Sequence, residues 1–191
     1  MMLEFNEAAH VYKWDGNPVP NVTGIIAPLT KMWLSGKDLE RARQEGKAIH
    51  KMVELECRDI LDVTNIPEWM EGYLAAWLSF KAFTGFQLVA SEWRGFEPNQ
   101  RYAGTLDLDG VMTKFKHPGP CLIDIKRSLA GAPAVGVQLA GYQGLVQGHR
   151  LRYGLQLRED GEYRLKEYTD PQDRAVFLAC LTLHRWRERN A

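Results

Sequence analysis

The spacing of hydrophobic and polar positions changes several times along the chain. Residues 11–14 (VYKW) and 19–22 (VPNV) are short β-type segments on either side of Asp15-Gly16, a pair suited to a turn that needs positive φ, and they predict an N-terminal β-hairpin. Over residues 38–60 the period lengthens to that of a helix, with Leu39, Ala42, Ile49, Val53 and Cys57 forming an apolar stripe. A second helix is expected after Pro67, carrying Trp69, Tyr73, Trp77 and Phe80. Past Gly85 the period shortens to two in QLVASEWR, YAGTLDLDGVM and CLIDIKRS, which loops rich in Pro, Asn and Gly separate into a three-strand meander. Pro133 opens the helical stretch PAVGVQLAGYQGLVQG, LRYGLQLR and EYRLKEY flank an Asp160-Gly161 turn, and a last helix begins near Pro171 with Val176, Phe177, Cys180, Leu181 and Leu183. This order predicts an α+β fold with a mixed sheet flanked by helices. It reads as one domain over residues 1–191: hairpin and lead-in (1–37), core (38–170) and closing helix (171–191).

Composition narrows this picture only at a few points. The 45% hydrophobic and 25% charged content is that of an ordinary folded domain. A formal net charge of zero supplies no global field toward nucleic acid, so any polyanion must be held by a local patch. Cys57, Cys121 and Cys180 are too scattered for a disulfide framework or a CxxC metal site, which points to a reducing, cytoplasmic setting. The acidic start MMLEFNEAAH and the lack of any long apolar run predict neither export nor membrane insertion.

The chemistry concentrates where charges interrupt the strands. In CLIDIKRS, strand alternation puts Leu122, Asp124 and Lys126 on one face and Ile123 and Ile125 on the other. In YAGTLDLDG it groups Thr105, Asp107 and Asp109 against Leu106 and Leu108. If these strands are neighbours, Asp107 and Asp124 converge, and two hard oxygen ligands suit Mg²⁺ or Mn²⁺. Lys126 then stands beside such an ion, where an ammonium orients water or stabilises charge developing on a phosphoryl group. A solvated strand face with a cross-strand ion pair has the same pattern and contributes only about 0.2–1 kcal/mol. Neighbouring motifs decide between the two.

In EGKAIH, Gly46 and His50 lie four apart on one helix face, so a glycine there is expected to let the helix pack closely and bring His50 toward the aspartates. In VQLAGYQ, Gln138 and Tyr142 are likewise four apart on the helix that follows the DIK strand, and both can bond phosphates or bases or support the lysine.

The ordered set GKAIH, GTLD, DIK and QLAGY resembles the GxxxH, GxxD, DxK and QxxxY motifs of the RecB-like and phage exonuclease branch of the PD-(D/E)xK nuclease superfamily. The match spans residues 46–142. The resemblance implies a restriction-endonuclease-like core and divalent-metal hydrolysis of DNA phosphodiesters. By motif, Asp107 and Asp124 would bind the metal with help from the Ile125 carbonyl, Lys126 would be catalytic, and His50 would be a further ligand. Gln138 and Tyr142 would contact substrate or support the site. Glu92, in VASEWRG, resembles an extra acidic residue of many members, a second-metal or water-positioning group; a solvated strand carboxylate is the other reading. Leu106 stands where the superfamily has the proline of its PD, and Asp109 replaces Asp107 if the register moves by two, although Gly104 favours Asp107. The cysteines do not reproduce the four-cysteine cluster of some relatives, so no iron-sulfur cofactor is expected.

DNA binding would call on basic residues near the acidic centre: Arg127, Lys47, Lys51, Lys114, Lys116, Arg150 and Arg152, with Trp93 and Tyr102 stacking on frayed bases. The expected activity is that of a metal-dependent DNA exonuclease in phage or prophage recombination, repair or replication, with DNA as partner beside a recombinase, an annealing protein or a helicase. A structure-specific or restriction-type endonuclease is the enzymatic alternative, and a catalytically silent DNA-binding module the non-enzymatic one.

Overall fold

In the computed structural model, which describes residues 2–7, 9–30, 37–129 and 134–190, Asp15 and Gly16 both take positive φ, 48° and 77°. Because this turn spends only two residues, the returning strand starts at Asn17. Strands β2 (Val11–Trp14) and β3 (Asn17–Val19) pair as Tyr12↔Val19 and Trp14↔Asn17. The expected partner segment at residues 19–22 is thus corrected, and the hairpin is part of a three-stranded sheet, since β1 (Leu3–Asn6) pairs with the outer edge of β2. Val22 instead begins a short helix, α1 (Val22–Ile25), whose first turn is capped by the Asn21 side chain accepting from Gly24 N–H.

Helices α2 (Lys37–Cys57) and α3 (Glu68–Thr84) follow, α3 ending where Gly85 takes the left-handed conformation, φ 62°. The expected helix over 38–60 stops at Cys57. Strands β4 (Phe86–Glu97), β5 (Tyr102–Met112) and β6 (Gly119–Lys126) form the antiparallel meander. Helix α4 (Ala134–Gln143) crosses to β7 (Leu151–Leu157), which pairs parallel to β6, and β8 (Tyr163–Glu167) returns antiparallel. Helix α5 (Asp173–Arg189) closes the chain. The Pro133 start expected for α4 lies outside the described residues, and the helix ends at Gln143, short of the expected 148.

The protein is therefore α+β, with a mixed five-stranded sheet in the order β4-β5-β6-β7-β8 and helices on both faces. One apolar core joins Ile49, Met52 and Val53 of α2 and Trp77 and Phe80 of α3 to Leu108, Ile123 and Ile125. The other joins Val22, Ile25, Leu139, Tyr142 and Phe177 to Leu106 and Leu122 on the opposite face. The small N-terminal sheet docks on the meander through Trp14 stacked on Phe96 at 4.1 Å and a Tyr12–Thr105 hydroxyl contact of 2.6 Å. Among the described residues no helix is long and apolar enough to cross a membrane.

One irregularity positions the site. Leu106 and Leu108 are two apart, yet they pack in cores on opposite faces, so alternation fails between them. Across β4 the same place is marked by Glu92, a non-glycine residue at φ 48° lying between the Ser91↔Leu108 and Trp93↔Leu106 pairs. A side chain held in this sparsely populated region inside a strand is strained by about 1–3 kcal/mol, and the surrounding pairs hold it there.

Candidate metal centre

The break in β5 separates two aspartates that strict alternation would place together. Asp109 turns to Arg150, whose Nε and Nη2 lie 2.9 and 3.4 Å from its oxygens. Asp107 turns toward α2 and the end of β6. The β5–β6 ladder closes with Leu108↔Ile123, and beyond it the Asp107 side chain takes over the free backbone: Ile125 N–H donates to Asp107 Oδ2 at 2.8 Å. The expected shared face of Thr105, Asp107 and Asp109 is thus corrected, and the shifted-register alternative at Asp109 is removed because its carboxylate is spent on Arg150.

His50 arrives from α2, with Ile49 and Val53 buried beside it in the core. Its Nε2 is 3.2 Å from the Ile125 carbonyl oxygen, to which an Nε2–H donates. Its Nδ1 is 3.6 Å from Asp107 Oδ1 and 3.8 Å from Glu92 Oε1. Ligand atoms of His50, Glu92 and Asp107 all lie within 4.8 Å of one another. Burial alone would push the imidazole down, but Asp107, then Glu92 and Asp124, outweigh it and raise His50 to about 9. The bond to Ile125 fixes the tautomer, so loss of the other proton leaves an Nδ1 lone pair directed at the two carboxylates. Ile125 thereby uses both its N–H and its C=O to orient Asp107 and His50.

Asp124, the residue before Ile125 in β6, is 1% exposed and paired in the ladder with Gly154. Its Oδ2 is 2.6 Å from Lys126 Nζ, an ion pair without directed hydrogen-bond geometry. Burial pushes its carboxyl up to about 6, against the pull of the Lys126 ammonium and with a further push from Asp107. Lys126 is itself disfavoured as a cation by burial, but Asp124 and Asp107 more than compensate and raise it, so it stays protonated. Asp124 stands outside the tight His50–Glu92–Asp107 group while feeling the charge of His50 and Asp107.

Behind this pair, Gln138 Nε2 donates to Tyr142 Oη at 3.0 Å, both side chains buried in α4. Burial, followed by the Asp124 and Asp107 charges, raises the Tyr142 phenol well above its usual range, and the Thr23 hydroxyl of α1 is its other partner. The strand expected over residues 19–22 leaves no place for the helix that carries Thr23; the signal for it in the sequence is the N-capping Asn21.

The basic and aromatic candidates divide. Arg127 pairs with Glu45 at 3.0 Å and Lys51 with Glu54 at 2.8 Å, on the rim formed by α2, where Lys47 is also exposed. Arg150 is held by Asp109, and Arg152 by Asp173 at 3.0 Å and by the carbonyls of Gly136 and Asp170, so both are parts of the fold. Lys114 and Lys116 sit in the loop joining β5 to β6, at the opposite end of those strands from Asp124, roughly 20 Å away at about 3.3 Å per residue. Tyr102 is fully buried and donates to the Gly141 carbonyl at 2.8 Å, which removes it as a stacking platform; Trp93 is 39% exposed.

Gly46 does not serve the close packing expected of it. A Cβ added there meets nothing within 4 Å. Gly46→Ala is therefore expected to stabilise the protein by about 0.5–1 kcal/mol through helix propensity, read as a shift in the urea midpoint. A destabilised variant would restore the packing explanation.

The donor set fits a divalent cation: one imidazole nitrogen and two carboxylates converge, and a third carboxylate, buried and poorly bonded, stands next to them. Comparison of the chain with protein-family models gives no match, and comparison with curated proteins gives none either.

Proposed function

We propose that this protein is a Mg²⁺- or Mn²⁺-dependent deoxyribonuclease of the RecB-like and phage exonuclease branch of the PD-(D/E)xK superfamily, built on a restriction-endonuclease-like core. The observation that carries the reading is the convergence of His50, Glu92 and Asp107 at the end of β6 where Asp124 and Lys126 form a buried ion pair. Carboxylates gathered this closely repel one another, and the charge that offsets them is either the His50 imidazolium or a bound cation.

His50, Glu92 and Asp107 would hold the ion, with Asp124 joining as Lys126 yields it. When bound, the metal supplies Lewis acidity toward a phosphoryl oxygen and toward the attacking water. Lys126 remains protonated and presents its charge where negative charge builds as the P–O bond to the leaving nucleotide breaks. Tyr142 and Gln138 buttress the Asp124 side from α4. Arg127, Lys47 and Lys51 on the α2 rim are the basic residues placed to meet backbone phosphates. The partner is then DNA, and processing of linear ends beside a recombinase, annealing protein or helicase is the setting the resemblance suggests.

The test compares strand-labelled linear duplex, single-stranded and covalently closed circular DNA in Mg²⁺, Mn²⁺ and EDTA. Nucleotide release from linear DNA in metal alone, lost in Lys126→Ala and Asp124→Ala, is expected. The His50 nitrogen should make Mn²⁺ the better ion at equal concentration. Circles cut as readily as linear duplex would favour an endonuclease, and tight DNA binding without cleavage in any metal would leave a silent binding module.

A further inference from the structure

Tyr168, just past β8, belongs to none of the motifs, yet the fold builds a seat for it beside Asp124 and Lys126. Its backbone N–H donates to the Arg152 carbonyl at 2.8 Å, and Lys166 Nζ lies 4.8 Å from the centre of its ring. Two glycines make room for that ring. A Cβ on Gly136 of α4 would come within 2.9 Å of Tyr168 Cδ1, and one on Gly154 of β7 within 3.1 Å of Cε2. Gly154 is the residue paired with Asp124 in the parallel ladder, so the ring lies over the strand position next to the ion pair. The side chain is only 8% exposed, and its hydroxyl is buried with no hydrogen-bond partner. A buried hydroxyl left unsatisfied destabilises a fold by about 1–3 kcal/mol, so one retained at a charged site calls for a state in which it is used.

Metal binding creates that state. Lys126 Nζ sits 2.6 Å from Asp124 Oδ2, the oxygen the ion would need. When Asp124 turns to a cation, the ammonium, whose side chain is 29% exposed, loses its nearest counter-charge and is free to turn outward unless an acceptor holds it. The Tyr168 oxygen carries free lone pairs, and its ring lies against Gly154, the ladder partner of Asp124. We propose that Tyr168 is a positioning residue that accepts a hydrogen bond from Lys126 once Asp124 is committed to metal, holding the ammonium toward the substrate phosphate. This rests on the metal-site reading above.

The test is a double-mutant cycle of Tyr168→Phe and Lys126→Ala, with Mn²⁺ binding to the whole chain measured by calorimetry and thermal unfolding measured in EDTA. Tyr168→Phe is expected to weaken Mn²⁺ binding about tenfold, some 1.4 kcal/mol. Its melting temperature in EDTA should be unchanged or higher, since only an unsatisfied hydroxyl is removed. In the Lys126→Ala background the same change should have no effect on binding, because no ammonium remains to be held. Equal Mn²⁺ affinity in Tyr168→Phe overturns the Tyr168 role while leaving the metal site standing. An equal loss in both backgrounds, or a melting temperature lowered by several degrees, makes Tyr168 a packing residue and overturns it as well. Absence of Mn²⁺ binding in the unmodified chain overturns the metal site and this role together.

Discussion

On the nuclease reading proposed above, Asp124→Asn and Lys126→Ala should be equally inactive, each losing about a thousandfold or more in DNA cleavage, yet change stability in opposite directions. Both remove a group that would act at the phosphoryl centre, hence the shared loss. Their structural surroundings differ. Asp124 is 1% exposed, and its carboxyl is raised from its ordinary 3.8 to about 6, chiefly by burial. At neutral pH the metal-free fold therefore holds an ionised group that its burial disfavours. Asn keeps the shape without the charge; it leaves the Lys126 ammonium without its nearest counter-charge, but that side chain is 29% exposed and can turn to water, so relief of the buried carboxylate wins and Asp124→Asn should stabilise the metal-free protein. Lys126→Ala does the reverse: it strips the buried carboxylate of its counter-charge and should destabilise by about 1–3 kcal/mol. Urea unfolding in EDTA at pH 7 measures both. Two destabilised variants would mean that the pair serves the fold, and the case for a site poised for metal would weaken accordingly.

The same residues show what the sequence could and could not reveal. Asp124 and Lys126 were legible because β6 is regular: Ile123 and Ile125 face one core, Leu122 the other, and alternation holds throughout. In β5 alternation fails between Leu106 and Leu108, and the feature that accompanies the break lies in another strand, the positive φ of Glu92. Periodicity within a single strand carries no trace of that, so Asp107 and Asp109 read as one face although they belong to different ion-pair systems. Arg150 and Arg152 read as candidates for binding DNA for the same reason: Asp109 and Asp173 are 41 and 21 residues away in sequence and meet them only in the fold. The reading of Gly46 failed differently. A helical glycine signals either close packing or open room, and only the neighbouring elements say which. Tyr168 had no local pattern at all, because its seat is assembled from Gly136 and Gly154 on two other elements.

Stability of the metal-free protein should fall as pH rises from about 4 to 9, the opposite of ordinary acid denaturation, and Mn²⁺ should flatten the fall. Two groups produce it. Asp124 is held up at about 6 against an ordinary 3.8, so between these values the folded state binds more protons than the unfolded one and stability declines with pH. His50 is held up at about 9 against 6.5 by Asp107, Glu92 and Asp124. Its contribution is complete below 6.5 and is lost as pH climbs through 9. The His50 shift corresponds to roughly 3 kcal/mol, and with 28% side-chain exposure the imidazole is shielded enough for it to register. The acidic half should vanish in Asp124→Asn and the alkaline half in His50→Gln. A metal held as proposed would act on the alkaline half because the imidazolium proton and the cation would compensate the same carboxylates: once His50 has lost its proton, its Nδ1 would be free to serve as a ligand and affinity for Mn²⁺ would rise. At a hundred times its dissociation constant the ion adds about 2.7 kcal/mol, close to what deprotonation removes. Urea midpoints at pH 5, 7 and 9, with EDTA or Mn²⁺, measure the effect. Metal-free stability that is flat or rising between pH 7 and 9 would show that His50 is not held as a cation by these carboxylates, and the cluster would then have no charge deficit for a metal to fill.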